Sequence, residues 1–457
     1  MVRYLASLAA VACWATAAQT QNTVDIPIAQ ATPVAARALM AGDAALALQI
    51  ADAILQARPD DRGALIIVAA AAPRVGDPAR GYAAGARAWR LSQTPAQRYE
   101  AARLTALAAN NQDRFTTASL WLRLALISAP DETERARTLQ DARLVNQRNP
   151  WSTQLSLALA PSNNVNGGAE DEVSSAPGNP EGILSEDAQN LAGWRGGIGV
   201  TTAYRIQASE VSRTTIGAGL QIGRVWITEE TEVPNEAFDT SSARVFLRHD
   251  RALWGGALGL GLTYGRYNYR DLDLSEATTE GRSYDVAGIS AEYRHAVNES
   301  TSLQLSLSRD LITYEETSIG EVDRRRADVA LGHALASGDT VTASYSVTDS
   351  IGDNDNYTSL EHALRLGYRW AEPVGPVTLA VGAGIRWVDY PSYRLLLPVM
   401  GGRQDETVSA NLSIGFPEAE FAGFIPGLRI EAQKTESNVS RFDSTTLGAS
   451  LTLQSSF

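Results

Sequence analysis

The chain has 457 residues, of which 44% are hydrophobic and 20% charged, and a formal net charge of −13. That length allows two or three domains, and the acidic balance argues against a nucleic-acid partner. After the first twenty positions no run of eighteen apolar residues remains, which excludes a helical membrane protein but not a barrel, whose lipid-facing residues are only every second one.

Residues 1–18 read as a secretory signal: Met1-Val2-Arg3 is a charged start, an apolar stretch follows, and Ala15-Thr16-Ala17 is a small-residue cut site before Gln19. Cys13 is the only cysteine and would leave with the signal, so no disulfide is expected. A lipobox reading of Ala10-Val11-Ala12-Cys13 lacks the usual leucine and leaves too short an apolar core. Residues 19–32 read as a linker.

Over 33–148 the composition shifts to Ala, Leu and Arg, with apolar positions at three- and four-residue spacing, which predicts helices. Prolines at 59, 95 and 130 fall near helix ends, and the Gly-Asp pairs at 42 and 76 are 34 residues apart. That is the tetratricopeptide period, and it predicts about three stacked helix pairs, with small residues such as Ala47, Ala51, Ala83, Ala118 and Ala125 allowing close approach. Such a domain is either a spacer or a concave groove for an extended peptide or a partner helix. Trp89, Trp121 and Arg123 are the groove candidates, although both tryptophans also suit a core.

Residues 149–457 change texture at Asn149-Pro150. Trp151, Thr153, Leu155, Leu157 and Leu159 alternate with polar or small residues, the pattern of a strand with one oily and one polar face. About fourteen such segments are predicted, near 151, 194, 214, 242, 254, 283, 301, 323, 339, 359, 376, 405, 427 and 445, each about ten residues long as a tilted transmembrane strand requires. Long connections (161–193, 227–241, 267–282, 314–322, 348–358) alternate with short ones (207–213, 250–253, 296–300, 336–338, 371–375), as the outer loops and periplasmic turns of a bacterial barrel do. The phase frays past 389. Trp194, Trp226, Trp254, Trp370 and Trp387 fall near strand ends, where interface girdles lie. The first and last strands should pair to close the wall. Trp151, Leu155, Leu447, Leu451, Leu453 and the terminal Phe457 are therefore assigned to the seam and the insertion signal, with cysteines at Leu155 and Leu451, varied in register, to lock across it.

On the inward parity lie Arg195, Arg205, Arg244, Arg248, Arg326, Arg365, Arg369, Arg386 and Arg429, with Glu361 and Glu431. On the lipid face each such charge would cost about 2–4 kcal/mol at the midplane, so they are assigned to the lumen. There they either brace the wall as ion pairs or form a path for anions. The acidic outer loops contain no twelve-residue calcium loop, and Gly352-Asp353-Asn354-Asp355-Asn356 reads as a flexible tip. The four histidines lack ligand spacing and no nucleophile or Walker motif is present; His249-Asp250 has opposite facing. Neither metal, cofactor nor catalysis is expected.

The chain resembles the surface lipoprotein assembly modifier (Slam) family of outer-membrane translocons. The likeness rests on Asn149-Pro150-Trp151, on Pro161-Ser162-Asn163-Asn164-Val165-Asn166, on Arg403-Gln404-Asp405, and on the tail from Ile425-Pro426-Gly427-Leu428 through Ser437-Asn438 to Phe457. It implies a periplasmic tetratricopeptide-like domain before a fourteen-stranded outer-membrane barrel. It further implies passage of a lipoprotein or a related secreted protein to the cell surface, the repeats receiving the client and the barrel conducting it. Outer-membrane lipid, the client, periplasmic chaperones and the barrel-assembly machinery would be its partners, with the chain itself a monomer. Ser455 stands where terminal strands often carry an aromatic. An exopolysaccharide-export porin with a helical scaffold and a passive solute porin are the other readings.

Overall fold

A computed structural model describes residues 27–269 and 283–455 and divides the chain into two compact units, one ending at Asp113 and one beginning at Arg114. The signal, most of the linker and Phe457 lie outside the described residues.

The first unit contains α1 (Ile28–Met40), α2 (Ala44–Ala57), α3 (Arg62–Ala71), α4 (Pro78–Arg90) and α5 (Pro95–Asn110). The helix begins at Ile28 rather than 33, with Pro33 inside α1. The two Gly-Asp pairs have a structural cause. Gly42 and Gly76 take φ of 89° and 90°, a left-handed stop that a side chain would strain. Asp43 and Asp77 then accept the N–H of Leu46 and Arg80, capping α2 and α4. Consecutive helices pack together through small residues: Ala47, Ala51 and Ala101 are fully buried, and a Cβ at Gly85 of α4 would collide with the Thr105 hydroxyl of α5.

The second unit opens with α6 (Phe115–Ile127) and α7 (Glu132–Arg148), and α7 leads directly into the first strand. The strands are β1 (Trp151–Ser162), β4 (Gly193–Ala208), β5 (Ser212–Ile227), β6 (Thr240–Leu253), β7 (Gly256–Tyr269), β8 (Tyr284–Ala296), β9 (Thr301–Tyr314), β10 (Glu321–Ala334), β11 (Thr340–Gly352), β12 (Ser359–Arg369), β13 (Thr378–Tyr390), β14 (Arg403–Gly415), β15 (Phe424–Ser437) and β16 (Ser444–Ser455). A two-stranded ribbon, β2 (Val173–Ser174) with β3 (Gly182–Ile183), lies within the first loop. The other fourteen form one closed antiparallel barrel in sequential order. Each begins within three residues of its expected position.

An even strand number returns the chain to the end where α7 enters. The opposite, loop end has, among the described residues, connections 163–192 (loop 1), 228–239, 315–320, 353–358, 391–402 (loop 6) and 438–443 (loop 7). The turns at the helix end are shorter until 370–377 and 416–423, and the second of these lies past 389, where the expected phase frays.

Outward positions invert the pattern of a water-soluble protein. Leu157, Val200, Leu220, Leu262, Leu307, Leu366, Leu447, Leu451 and Leu453 are all exposed, as a lipid-facing surface demands. Aromatic pairs mark its lower edge: Trp151 with Tyr204 at 4.9 Å, Trp254 with Tyr293 at 6.5 Å and Tyr368 with Trp370 at 4.7 Å between ring centroids. Trp194 and Trp226, cross-strand partners, mark the upper edge with Trp387. From Trp194 to Tyr204 the chain descends ten residues, which at about 3.3 Å per residue and a tilt of about 40° is roughly 25 Å, the height of a barrel's apolar band.

Candidate functional site at the barrel seam

The wall is uniform except at one place. β1 pairs with β4 over twelve residues, and β16 with β15 over twelve, but β1 and β16 share a single register pair, Ser162 with Gly448. The first and last strands thus close the barrel as expected, but by the shortest ladder in the wall. Extending the observed register puts Leu451 opposite Leu159 and Leu155 opposite Ser455, so Leu155 and Leu451 do not face each other.

At the loop end the seam is held by side chains. The Asn163 amide donates to the Thr445 carbonyl at 3.1 Å and accepts the Leu447 N–H at 2.7 Å. Its neighbours fix the start of loop 1. Asn164, fully buried, donates to the Gly168 carbonyl at 2.9 Å and accepts the Gly168 N–H at 3.0 Å. Asn166 donates to the Asp187 carbonyl and accepts from Leu191, both at 2.9 Å. A polar side chain buried here is stable because its hydrogen bonds are made. Loop 1 then crosses the seam and is tied to loops 6 and 7: Glu170 N–H donates to the Asp443 carbonyl at 3.0 Å, Ser440 N–H to Ser175 at 2.9 Å, and Met400 N–H to Pro177 at 3.0 Å.

Beside this strap Arg403 stacks on Phe442 at 3.2 Å and Tyr390 at 4.4 Å while pairing twice with Asp405, at 3.0 and 2.5 Å. The planar guanidinium fits both tasks. Asn438 accepts the Gln404 N–H at 2.8 Å and donates to the Gly402 carbonyl at 2.8 Å. Burial pushes the Asp443 carboxyl upward against a hydrogen bond from Ser437 N–H, and nearby Glu170, Glu436 and Asp171 push it the same way. Four separate stretches of sequence thus meet at one corner, and they include the Pro161–Asn166, Arg403–Asp405 and Ser437-Asn438 residues that carry the resemblance.

At the helix end the two banks of the seam are joined by helices. Arg205 of β4 donates to the carbonyls of Gln147, Arg148 and Asn149 at 3.0–3.2 Å, closing the C-terminus of α7 where the helix dipole is negative. On the other bank, the long 416–423 turn between β14 and β15 meets the same hairpin: Arg123 of α6 donates to the Ala422 carbonyl at 3.0 Å and lies over the Phe424 ring at 4.3 Å, and Arg135 of α7 pairs with Glu420 at 3.1 Å. The turn thus supplies the hairpin with an acceptor carbonyl and a carboxylate, and Phe424, just past it, supplies a ring.

The structure distributes the remaining candidates. Arg123 is held by the barrel turn, Trp121 is half-buried in α6, and Trp89 packs partly buried against the core of the first unit. The lumen arginines divide. Arg248 pairs with Asp250 at 2.8 Å and Glu292 at 3.4 Å, Arg326 with Asp328 at 2.7 Å, Arg386 with Glu361 at 3.7 Å, and Arg429 with Glu431 at 2.5 Å. Arg195 donates to the Val165 carbonyl of loop 1 at 2.7 Å, and Arg244 lies 6.0 Å from the Phe246 ring. Arg365 and Arg369 make no ion pair among the described residues and line a wall cavity of about 920 Å³ with Glu361, Arg386, Arg429 and Glu431. His249 bonds Thr214 at 2.9 Å on the outer face while Asp250 pairs with Arg248 and Arg213 inside. Gly352–Asn356 is no free tip: Asn354 donates to Ser318 and Asn356 to Arg394, both at 2.9 Å.

Two features were not read from the sequence. One is that the β1–β16 ladder is reduced to a single register pair. The other is an inward tyrosine ladder at the loop end, Tyr267, Tyr284, Tyr314 and Tyr357, with successive centroids 5.0, 5.2 and 5.4 Å apart; tyrosines recurring at strand ends were its available signal.

Residues 237–456, from just before β6 to the end of β16, match the model of the surface lipoprotein assembly modifier family. No curated protein matches the sequence. Solved barrels of similar form include the loop-deleted OmpT of Vibrio cholerae (7% identity, 67% of this chain and 100% of that one, TM-score 0.34), OprD of Pseudomonas aeruginosa (11%, 65% and 92%, 0.32) and OccAB3 of Acinetobacter baumannii (10%, 66% and 98%, 0.34).

Proposed function

Because the chain belongs, through residues 237–456, to the surface lipoprotein assembly modifier family and is an outer-membrane barrel, we propose that it is a translocon that moves a lipoprotein or related secreted protein from the periplasm to the cell surface. On this reading α1–α7 lie in the periplasm, where the helical repeats receive the client, and the loop end faces outward. The observation that carries it is the seam. A passive porin needs a uniform wall, whereas here one inter-strand ladder out of fourteen is reduced to a single register pair, bonded directly across the seam at its loop end and bridged by the α6–α7 hairpin at its helix end.

The reading is of transport without catalysis, by a single copy of the chain. Insertion would depend on periplasmic chaperones and the barrel-assembly machinery, as for other barrels of this kind. One observation favours a second reading: the cationic cavity around Arg365 and Arg369 suits an anionic polymer, as an exopolysaccharide-export porin would need.

Deleting the chain and comparing proteins released by protease shaving of intact cells tests the two together. A lipoprotein that stays in the cell but is lost from the surface supports the translocon. An unchanged surface proteome with lost exopolysaccharide overturns it in favour of the second reading.

A further inference from the structure

We propose that the β1–β16 seam is a lateral gate hinged at its loop end, and that an extended segment of the transported polypeptide enters it from the periplasm as a transient fifteenth strand. This rests on the translocon reading and names its route.

The ladder itself is the first ground. β1 from Trp151 to Pro161 and β16 from Ala449 to Ser455 have no register partner across the seam. In a bilayer an unmet N–H or C=O has no water to turn to, so such an edge must be completed by backbone. An acyl chain or a detergent tail cannot supply those groups; an extended peptide can, by strand addition. The shorter edge fits about seven residues, and the wall's outward-apolar, inward-polar alternation requires the same alternation of the guest.

The second ground is where the seam is and is not held. Ser162 and Asn163 bond β16 at the loop end, and loop 1 straps over them to loops 6 and 7. Opening therefore begins at the other end. There the α6–α7 hairpin spans the gap, continuous with β1 and capped by Arg205 on one bank, and joined to the β14–β15 turn through Arg123 and Arg135 on the other. A shift of this hairpin changes the distance between the banks, which couples events in the periplasm to the gate.

Two measurements on the full-length protein decide it. In the first, amide hydrogen exchange is followed in detergent micelles with no client present. Seam-facing amides of β1 should exchange far faster than β4 amides laddered on both sides; equal protection along both strands would show a zipped seam and overturn the gate. In the second, Leu159→Cys with Leu451→Cys is placed in the register of Ser162 and Gly448, with Leu155→Cys and Val200→Cys locking the fully laddered β1–β4 pair as control. Surface proteins are counted by protease shaving. Oxidation of the seam pair should reduce them to the level of the deletion strain, with recovery on adding reductant, while the control lock changes nothing. Full delivery through an oxidised seam would overturn the gate. Failure of even the reduced protein and the wild type to alter the surface proteome would instead sink the translocon reading, and the exchange measurement would still report on the seam. A benzoylphenylalanine at Leu157 identifies the guest: an adduct with a transported polypeptide supports the proposal, and an adduct with a second copy of the chain contradicts it.

Discussion

Arg205 and Asn163 stand at opposite ends of β1 and perform related work with different chemistry. Arg205 brings a positive charge to three carbonyls at the end of α7, so Arg205→Ala should cost about 1–2 kcal/mol. The loss should appear as faster amide exchange in the last turn of α7 and leave the β4–β5 ladder unchanged. Asp443 makes the opposite contribution. Its carboxyl is pushed up by burial, so the folded protein holds that proton more tightly than the unfolded chain does. Its charged form therefore costs stability at neutral pH, and the cost disappears as pH falls through the raised folded value. Asp443→Asn, which keeps an acceptor for Ser437 N–H, should raise the melting temperature at pH 7 and lose that advantage below about pH 4. An advantage that persists unchanged in acid would contradict the assignment.

At the scale of elements, the hairpin α6–α7 connects the periplasmic domain to the wall. Arg135→Glu sets two carboxylates face to face and should destabilise the docking by about 1–3 kcal/mol, reducing surface delivery, with Glu420→Arg restoring it in the double variant. If the double variant stays as impaired as the single one, the pair does not couple the elements. In the first unit, Gly85→Val drives a branched side chain into the α4–α5 contact at Thr105 and should cost about 1–3 kcal/mol by thermal melting. This is also the scale at which sequence reading works best. Period-two alternation placed all fourteen wall strands because one face meets lipid, whereas the Gly-Asp pairs were read only as a repeat period; their cause, a left-handed glycine followed by a capping aspartate, came from the structure. The β1–β16 relation was not legible. Alternation fixes which way side chains point, but whether two strands distant in sequence share hydrogen bonds depends on barrel closure. Arg123 was likewise read as a groove residue, since nothing in α6 reveals that its partner is a turn three hundred residues away.

For the whole molecule, the chain combines a helical front with a fourteen-stranded outer-membrane wall whose single weak ladder is pinned outside and bridged by helices at the opposite end. The stretches that carry the family likeness are spread along the sequence, yet most of them gather at the two ends of that ladder. Their identities could be read in advance; their meeting point could not, because it is created by loop 1 folding back across β16 to loops 6 and 7. The central claim is that the barrel delivers protein to the surface. The most direct measurement is to restore the full chain from an inducible promoter in the deletion strain and follow intact-cell protease shaving over time. The account predicts that at least one lipoprotein, present throughout inside the cell, becomes protease-accessible only after induction. A surface lipoprotein complement that is the same before and after induction would contradict it.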